Sequence, residues 1–209
     1  WGETVEKINH FNDKISCETN KKSITAKLIV GCDGMNSKVR ELSRIDFRSW
    51  SYNQTAIVAN FKTDANDSCI KQTFTSIGPL ALLPISDCES TLIWSIDDDV
   101  SYKFISMSDE DFTEEVINKF GEHIGKFEMT SKRQSFSLNH LSAKTFSKDR
   151  VFLVGDSAHH IHPLAGLGLN AGIGDVACLA NLIKENGLED LEKISSTYNR
   201  KRIPINLGL

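Results

Sequence analysis

The alternation of apolar and polar positions predicts short strands at the beginning of the chain. Three β-type segments, at 4–11, 14–19 and 22–26, are separated by polar turn residues, which predicts a β-meander. A continuous apolar run, 28–30, then ends at glycines and predicts a strand buried on both faces. The segment NSKVRELSRI predicts a short helix with Asn36 or Ser37 as N-cap.

From about Ser51 the pattern changes to longer strand-like segments separated by turn residues. SYNQTAIVANFKTD, CIKQTFTSI, PLALLPIS and STLIWSIDDD are broken by DANDS, GP and DCES, which predicts an antiparallel sheet. The segment after Ser108 has acidic residues first and apolar residues at helical spacing, so it predicts a helix that Gly121 ends. FEMTSKRQSFSL predicts a returning strand.

The last third of the chain returns to alternating strands and helices. RVFLVGD predicts another buried strand that ends at a glycine, and GLNAGIGDVACLANLIKEN has apolar residues at helical spacing. A final helix is predicted from about Leu188 to Arg202, ending before Pro204. The pattern as a whole predicts an α/β (α+β) protein in which α/β segments, 1–50 and 141–209, surround an antiparallel sheet at 51–140.

Composition and charge exclude several classes of protein. The net charge of −4 argues against nucleic acid as a partner, because binding to phosphates requires a basic surface. No apolar run reaches the roughly 20 residues that span a bilayer, and no basic-then-apolar leader opens the sequence. The five cysteines are scattered and never spaced as C-x-x-C, which favours reduced thiols and a cytoplasmic location.

The first of two strand-to-loop junctions is LIVGCDGMNSKVR. A strand, a D-G pair and a helix start can direct backbone N–H groups toward an anion. Asp33 could accept a hydrogen bond from a ribose hydroxyl or organise the turn, and Arg40 could hold it. The alternative is an ordinary turn at Asp33 and Gly34 with Arg40 on the surface.

The second junction follows the strand RVFLVGD. Asp156 lies just past a buried strand, which is the usual place for a ligand contact in an open α/β sheet. Pro163 stiffens the loop, and Gly166 and Gly168 allow the backbone to approach a flat or bulky group. The N-terminus of the next helix offers N–H donors and a partial positive charge, which suits a ligand that becomes anionic.

His159, His160 and His162 raise the alternative of a metal site. Pro163 and the flanking glycines disfavour the helix that would bring two of these imidazoles onto one face, and no supporting ligand other than Asp156 has a suitable spacing. We therefore expect no metal. Asp175 is interpreted as a helix residue that faces a partner or solvent.

Taken together, the two junctions resemble motifs of one known family. GDSAHHIHPLAGLGLNAGIGD resembles the GD motif of the class A flavin monooxygenases, the para-hydroxybenzoate hydroxylase superfamily. HPLAGLGLN is most similar to the ubiquinone-biosynthesis hydroxylases of that superfamily. GCDGMNSKVR resembles their DG motif, and the two motifs occur in the family's order, so the resemblance covers nearly the whole chain.

The resemblance implies a fold, a reaction and its cofactors. The fold would be part of a Rossmann-like FAD-binding domain, 1–50 and 141–209, with an inserted mixed or antiparallel β-sheet, 51–140, as the substrate domain. The reaction would be hydroxylation of the aromatic ring of a polyprenyl phenol in ubiquinone biosynthesis. It would use FAD, NAD(P)H and O₂ and pass through a flavin C4a-hydroperoxide. The alternatives are another flavin-dependent reductase of this fold and a non-catalytic scaffold subunit.

The resemblance also assigns roles at the cofactor site. Asp156 would bind the ribityl chain, Pro163 would lie near the reacting edge of the flavin ring, and residues 168–170 would present backbone groups to its N1/O2 edge. The DG motif would serve the pyrophosphate and NAD(P)H, and no catalytic side chain is assigned. The expected cofactor-binding set is Asp33, Gly34, Arg40, Gly155, Asp156, Pro163, Gly166, Gly168, Leu169 and Asn170.

Two departures from the family pattern affect these expectations. Leu167 stands where the subgroup usually has glutamine, and the G-x-G-x-x-G unit that binds the ADP half of FAD does not occur in the sequence. We therefore expect the chain to be a piece of a longer enzyme and to bind FAD poorly by itself. A lipid-tailed substrate implies a ubiquinone-biosynthesis protein assembly as partner and at most peripheral contact with the inner membrane.

Overall fold

The computed structural model describes residues 2–63, 69–121, 127–164 and 166–208. The chain divides into two compact units, one formed by Trp1–Trp50 with Asn139–Leu209 and one formed by Ser51–Leu138. Two strands, β5 (Phe47–Thr63) and β10 (Gln134–Ala143), carry the chain from one unit into the other. The predicted turn DANDS, 64–68, lies outside the described residues.

The first unit contains the predicted meander and a small sheet with parallel strands. The meander pairs β2 with both neighbours in antiparallel fashion, as predicted. The second sheet has three strands in the order β11-β12-β4, with β12 parallel to β4. The short β13 pairs with the end of β10. The strand bounds are β1 Val5–His10, β2 Ile15–Thr19, β3 Ser23–Ala26, β4 Ile29–Gly31, β11 Ser147–Lys148, β12 Val151–Leu153 and β13 His159–His160.

The prediction that both glycine-terminated strands are buried on both faces is correct for β12 and wrong for β4. All three residues of β12 are buried. In β4 the side chain of Val30 is 39% exposed. Among the described residues, β4 is an edge strand that pairs with β12 alone, whereas β12 lies between two strands.

Three helices complete the first unit. α1 (Lys38–Leu42) begins after Ser37, whose side chain accepts a hydrogen bond from the Arg40 backbone N–H, so Ser37 is the N-cap. α4 (Leu167–Asn186) and α5 (Leu191–Leu207) pack on the buried strands. The core contains Ile15, Val39, Phe146, Phe152, Leu153, Leu179, Leu182, Ile194 and Tyr198.

The predicted end of the last helix is wrong. α5 continues through Pro204 to Leu207, although proline removes one backbone hydrogen bond and disfavours the preceding turn. Arg202 and Asn206 lie on either side of Pro204 in sequence and are both buried. The Asn206 side-chain amide also donates to the Arg202 carbonyl at 2.9 Å. Tertiary packing and this side-chain bond therefore sustain the final turn.

The second unit is an antiparallel sheet, as predicted. β8 (Glu89–Asp97) pairs with both β5 and β7 (Gly78–Ser86), and β6 (Lys71–Thr75) pairs with β7. β9 (Phe127–Met129) pairs with the end of β5. FEMTSKRQSFSL thus forms parts of two strands, β9 and β10, rather than the single strand predicted. The core of this unit includes Ile57, Phe61, Leu80, Leu92, Trp94, Phe104, Phe112 and Val116.

Two helices belong to the second unit. α3 (Asp109–Phe120) begins after Ser108 and ends at Gly121, as predicted. α2 (Asp98–Ser106) was not predicted from the sequence. The reason is that α2 follows β8 without a break, contains Val100 and aromatic residues of modest helix propensity, and buries only Ser101 and Phe104.

Arg133 fixes the junction between α2 and α3. Its guanidinium donates to the Phe104 carbonyl at 2.6 Å and to the Met107 carbonyl, and it forms an ion pair with Asp109 at 3.0 Å. It also lies over the Phe112 ring at 4.9 Å. One side chain therefore satisfies carbonyls at the end of α2 that would otherwise lack partners.

None of the described helices is long and apolar enough to cross a membrane.

Candidate functional site

The two predicted junctions meet at the same edge of the parallel strand pair. β4 and β12 lie in register, with Gly31 opposite Leu153, and the Val154 N–H donates to the Gly31 carbonyl at 3.0 Å. The loop after β4, residues 32–37, and the loop after β12, described over residues 154–164, therefore leave the sheet side by side. We call them the DG loop and the GD loop.

Ser157 connects the two strand ends and is fully buried. Its hydroxyl is 2.5 Å from the Gly31 carbonyl and 2.8 Å from the Val154 carbonyl, and its oxygen accepts from the Val154 N–H at 3.1 Å. Sequence reasoning gave Ser157 no role. Its position in the middle of the GD loop next to Asp156 carried no pattern that distinguishes an internal anchor from a surface serine.

Asp33 organises the turn of the DG loop. One carboxylate oxygen accepts from the Ser37 hydroxyl at 2.5 Å and the other accepts from the Val39 N–H at 3.1 Å, so Asp33 and Ser37 together satisfy the first turn of α1. The side chain is exposed. Gly34 follows with a positive φ of 82°, and the space where its Cβ would lie is open. The expectation that Asp33 organises the turn is confirmed.

Arg40 occupies neither of the positions predicted for it, because it contacts Asp33 through no hydrogen bond and does not lie on the surface. Its side chain is 5% exposed. The guanidinium donates to the Ser157 carbonyl at 2.9 Å and to the Met35 carbonyl at 2.7 Å. Arg40 therefore clamps the GD loop to the DG loop, and burial lowers the pKa of its guanidinium. The Phe47 ring lies 4.6 Å below it.

Gly155, the second residue of the GD loop, contacts the helix that follows the loop. Gly155 has a φ of +62°, and a Cβ on Gly172 of α4 would lie 3.2 Å from the Gly155 Cα. Two backbones thus touch where neither residue has a side chain. The contact places the loop that carries Asp156 against the first half of α4.

Asp156 lies in a short 3₁₀ turn, Gly155–Ser157, and its side chain is 49% exposed. Its carboxylate is 2.9 Å from the His160 Nδ1. This hydrogen bond and the nearby imidazoles hold the pKa of Asp156 below its usual value despite partial burial. The result is an ionised acceptor at the end of a strand that a hydroxyl group of a ligand can reach.

The N-terminus of α4 is open. Its N-cap is Gly166, with a φ of +66°, and no described side chain caps it. The first turn carries no acidic residue, and Leu169 is 74% exposed. Pro163, Gly166 and Asn170 are also exposed, and Gly168 is half-buried. The Leu167 N–H donates to the Leu164 carbonyl at 3.1 Å. At the start of this 20-residue helix, the N–H groups of Gly168 and Leu169, to which the described residues offer no backbone partner, are therefore available to a ligand.

The interpretation of Asp175 as a partner-facing or solvent-facing residue is wrong, because its side chain is completely buried. Its carboxylate is 2.6 Å from His159 Nε2, 2.6 Å from Arg202 Nε and 3.1 Å from the Gly155 backbone nitrogen. Burial opposes its ionisation, but these hydrogen bonds lower the pKa below its ordinary value. Two neighbouring glycines in α4, Gly172 and Gly174, were the available indication of such close internal packing.

The three histidines of the GD loop do not converge. His159 bonds to Asp175 and is 1% exposed, whereas His160 bonds to Asp156 nearer the surface. His162 is half-buried, and burial lowers its pKa. Within the described ranges, no group of three or more histidine, cysteine, aspartate or glutamate side chains could hold a metal ion.

Comparison with known families decides what this arrangement is. The family model described as "FAD binding domain" matches residues 11–207, a range that contains both loops and α4. The chain belongs to this family. The cofactor of the family is FAD, and the recognition of the chain as a class A flavin monooxygenase similar to the ubiquinone-biosynthesis hydroxylases is confirmed.

Two curated members of the family are similar over most of the chain. Ubiquinone hydroxylase UbiL of Rhodospirillum rubrum is 37% identical in an alignment of 191 positions that covers 89% of this chain and 44% of that protein. The human mitochondrial ubiquinone biosynthesis monooxygenase COQ6 is 32% identical in an alignment of 223 positions, gaps included, that covers 88% of this chain and 47% of that protein. The chain therefore spans less than half the length of these relatives.

The solved structures agree with the family at the level of the fold. PqsL of Pseudomonas aeruginosa, in complex with 2-aminobenzoylacetate, superimposes with a TM-score of 0.79 at 21% identity. The match covers 99% of this chain and 60% of PqsL. The predicted fold class, a mixed α/β FAD-binding fold with antiparallel sheet, is thereby confirmed.

Proposed function

We propose that the protein containing this chain is an FAD-dependent monooxygenase that hydroxylates the aromatic ring of a polyprenyl phenol in ubiquinone biosynthesis, with NAD(P)H and O₂ as co-substrates. The observation that carries the proposal is the uncapped N-terminus of α4 beside the ionised Asp156 at the end of β12. The similarity to UbiL, a ubiquinone hydroxylase by name, and to COQ6, a ubiquinone biosynthesis monooxygenase by name, supports the substrate class.

The described residues fit an isoalloxazine ring and its ribityl chain. The first turn of α4 offers N–H donors and a partial positive charge, which match a ring edge that carries negative charge when reduced. We assign this contact to the backbone of 168–170, with Gly166 and Gly168 leaving space for a flat ring. Pro163 contributes no N–H donor, so we assign it to shaping the loop near the reacting edge.

We assign Asp156 to the ribityl hydroxyls, because its carboxylate is ionised, exposed and held by His160. In the DG loop, the turn formed by the exposed Asp33 and the half-buried Gly34 is the part available to a pyrophosphate. We do not assign Arg40 to direct cofactor contact, since two backbone carbonyls engage its guanidinium and its side chain is buried. Its role is to hold the two loops together.

When bound, FAD would carry electrons from NAD(P)H to O₂, so that one oxygen atom of O₂ enters the ring and the other leaves as water. The chain's own residues bind and orient it: the α4 N-terminus stabilises negative charge at the ring edge, and the GD loop fixes the ribityl chain. Catalysis by the protein is therefore positioning and charge stabilisation rather than acid–base chemistry by a single side chain.

A lipid-tailed phenol suggests where the intact protein works. We propose that it acts in the cytoplasm at the surface of the inner membrane, with a ubiquinone-biosynthesis assembly as partner. Support comes from the substrate class alone. Cell fractionation tests this proposal: recovery of the intact protein only in the soluble fraction, without other ubiquinone-biosynthesis proteins, would contradict it.

The full-length protein with Asp156→Asn tests the function. We expect wild-type protein to be yellow and to oxidise NAD(P)H faster, with O₂ uptake and a hydroxylated product, when a prenylated phenol is added. Asp156→Asn should weaken FAD binding by about tenfold or more, because a hydrogen bond to a charged group contributes roughly 1.5–3 kcal/mol. Flavin absorption during an FAD titration measures this change.

The matched control is Asp149→Asn. Asp149 is an exposed aspartate just before β12, and no contact with FAD is assigned to it. It should leave the FAD affinity unchanged. Product formation without O₂ uptake would indicate a reductase instead. Full cellular function of Asp156→Asn without detectable FAD binding would indicate a scaffold subunit, and either result rejects the proposed hydroxylation.

A further inference from the structure

A buried group of three polar side chains lies behind the GD loop, away from the open N-terminus of α4. Asp175 is 0% exposed, His159 is 1% exposed and Arg202 is 7% exposed. They come from α4, β13 and α5, respectively. Burial of ionisable groups is unfavourable unless they are paired and hydrogen-bonded, so the arrangement of this group requires an explanation.

Asp175 is the centre of the group, because each of its contacts holds a different element. One carboxylate oxygen, Oδ2, accepts from both the Gly155 N–H at 3.1 Å and His159 Nε2 at 2.6 Å. The other, Oδ1, accepts from Arg202 Nε at 2.6 Å. Arg202 also donates to the Ala171 carbonyl in α4 at 3.0 Å. A single carboxylate thus connects the GD loop, β13 and α5 to α4.

The charges within the group balance. The Nδ1 atom of His159 is buried and has no hydrogen-bond partner among the described residues, so the hydrogen on Nε2 is the one that the ring shares with a neighbour. That hydrogen is donated to Asp175, and the charge of Asp175 is compensated by Arg202. The bare backbone of Gly174 leaves the space for this guanidinium, since a Cβ there would lie 3.0 Å from the Arg202 Nη2.

The contact with Gly155 links this group to the cofactor side of the loop. Gly155 is the first residue of the 3₁₀ turn, and Asp156 is the next residue. The Cα of Gly155 also lies against Gly172, which is about one turn before Asp175 in α4. Asp175 therefore fixes the peptide that determines where the Asp156 carboxylate lies relative to the N-terminus of α4.

We propose that Asp175, together with His159 and Arg202, is a positioning residue for FAD. Asp175 acts through the Gly155 backbone and does not itself contact the cofactor. This inference rests on the FAD-binding part of the proposed function. It assigns to α5 and to the distal part of the GD motif a role in the geometry of the site, beyond their packing in the core.

The first test compares Asp175→Asn with Asn199→Ala in the full-length protein. Asn199 is also in α5 and accepts from the backbone N–H groups of Phe146 and Ser147, and none of its hydrogen bonds reaches Asp175, Gly155 or Asp156. Both variants should lower the thermal midpoint. At a temperature where both remain folded, Asp175→Asn should bind FAD about tenfold or more weakly, whereas Asn199→Ala should stay within about twofold of wild type. The visible circular dichroism of bound FAD should change only in Asp175→Asn.

The second test uses His159 and remains informative if Asp175→Asn does not fold. His159→Gln keeps an N–H donor that can reach Asp175, whereas His159→Leu removes it at similar volume. We expect FAD affinity and the visible circular dichroism to be largely retained in His159→Gln and lost in His159→Leu. Equal FAD affinity in these two variants, or equal losses in Asp175→Asn and Asn199→Ala, overturns the inference.

The outcomes separate this inference from the proposed reaction. If the wild-type protein binds FAD but hydroxylates no phenol, the reaction is rejected and the positioning role is judged by the FAD measurements alone. If the wild-type full-length protein binds no FAD, both are rejected.

Discussion

At the scale of single residues, the glycines of the GD motif are required for two different structural reasons. Gly166 and Gly168 lie at the open start of α4, as expected for a backbone that approaches a ligand. Gly172 and Gly174 instead make room inside the protein, for the Gly155 backbone and the Arg202 guanidinium. The sequence could not separate these cases, because a glycine indicates that space is needed but does not indicate whether a ligand or another part of the protein fills it.

This difference predicts opposite effects of the same substitution within α4. Gly168→Ala should stabilise the ligand-free protein by about 0.5–1 kcal/mol, since its Cβ would meet only an ordinary contact with Ile161 at 3.6 Å and alanine favours a helix. In Gly172→Ala the new Cβ meets a backbone that Asp175 holds in place, so we expect a loss of about 1–3 kcal/mol. Urea unfolding measures both, and a Gly172→Ala protein as stable as Gly168→Ala would contradict the close backbone contact.

At the scale of elements, the long periodic segments were predicted correctly and the short or context-dependent ones were not. α3 and α4 have clear helical spacing, Ser108 and Gly121 were recognised as caps, and Ser37 was one of two candidates for the N-cap of α1. α2 was not predicted, and α5 was ended before Pro204. Both errors have the same cause: local propensity was judged without knowing the contacts that compensate for it, such as those of Arg133 and Arg202.

The dependence of α2 on Arg133 leads to a prediction for the second unit. Arg133→Ala removes donors to two carbonyls at the end of α2 and the packing on Phe112, so we expect a loss of about 2–4 kcal/mol. The fluorescence of Trp94, which is fully buried in this unit, can follow unfolding in urea. Lys119→Ala is the control, because it removes only a surface pair with Glu115, worth roughly 0.2–0.5 kcal/mol. A similar small change in both variants would argue against the capping role.

At the scale of the whole molecule, the sequence predicted the family and the arrangement of α/β segments around an antiparallel sheet. It did not predict the buried hydrogen bonds that join the elements of the first unit. The apolar residues at helical spacing in α4 include Leu179 and Leu182, which are buried, but also Leu169, Ile173 and Val176, which are 74%, 57% and 55% exposed. The buried face also contains Asp175. A hydrophobicity pattern cannot predict a buried carboxylate, because its partners, His159 and Arg202, are distant in sequence and must first be brought together.

The stability of the first unit should depend on pH at the alkaline end. Tyr198 is fully buried and donates to the Leu153 carbonyl at 2.9 Å, and burial raises the pKa of its hydroxyl. A raised pKa in the folded state means that the stabilisation is complete below about pH 10, the unfolded value, and is lost as the pH rises above it. The slope should reach at most about 1.4 kcal/mol per pH unit.

Urea unfolding between about pH 9 and 11 measures this dependence. Tyr198→Phe should lower stability at neutral pH by about 1 kcal/mol, through the lost hydrogen bond, and should flatten the alkaline slope. Tyr102→Phe is the control, since Tyr102 is 78% exposed and should leave the slope unchanged. An equally steep slope in Tyr198→Phe would show that another group causes the alkaline loss.

The clamp formed by Arg40 has a consequence for how the protein can vary in evolution. Arg40 joins the two motifs through the carbonyl oxygens of Met35 and Ser157, and every amino acid supplies a carbonyl oxygen. Substitutions of the side chain at position 35 therefore leave this hydrogen bond intact, and no compensating change elsewhere is selected. Methods that infer contacts from correlated substitutions therefore do not detect a hydrogen bond from a side chain to a backbone carbonyl. Arg40 would look like an isolated invariant residue while coupling two segments 117 positions apart in sequence.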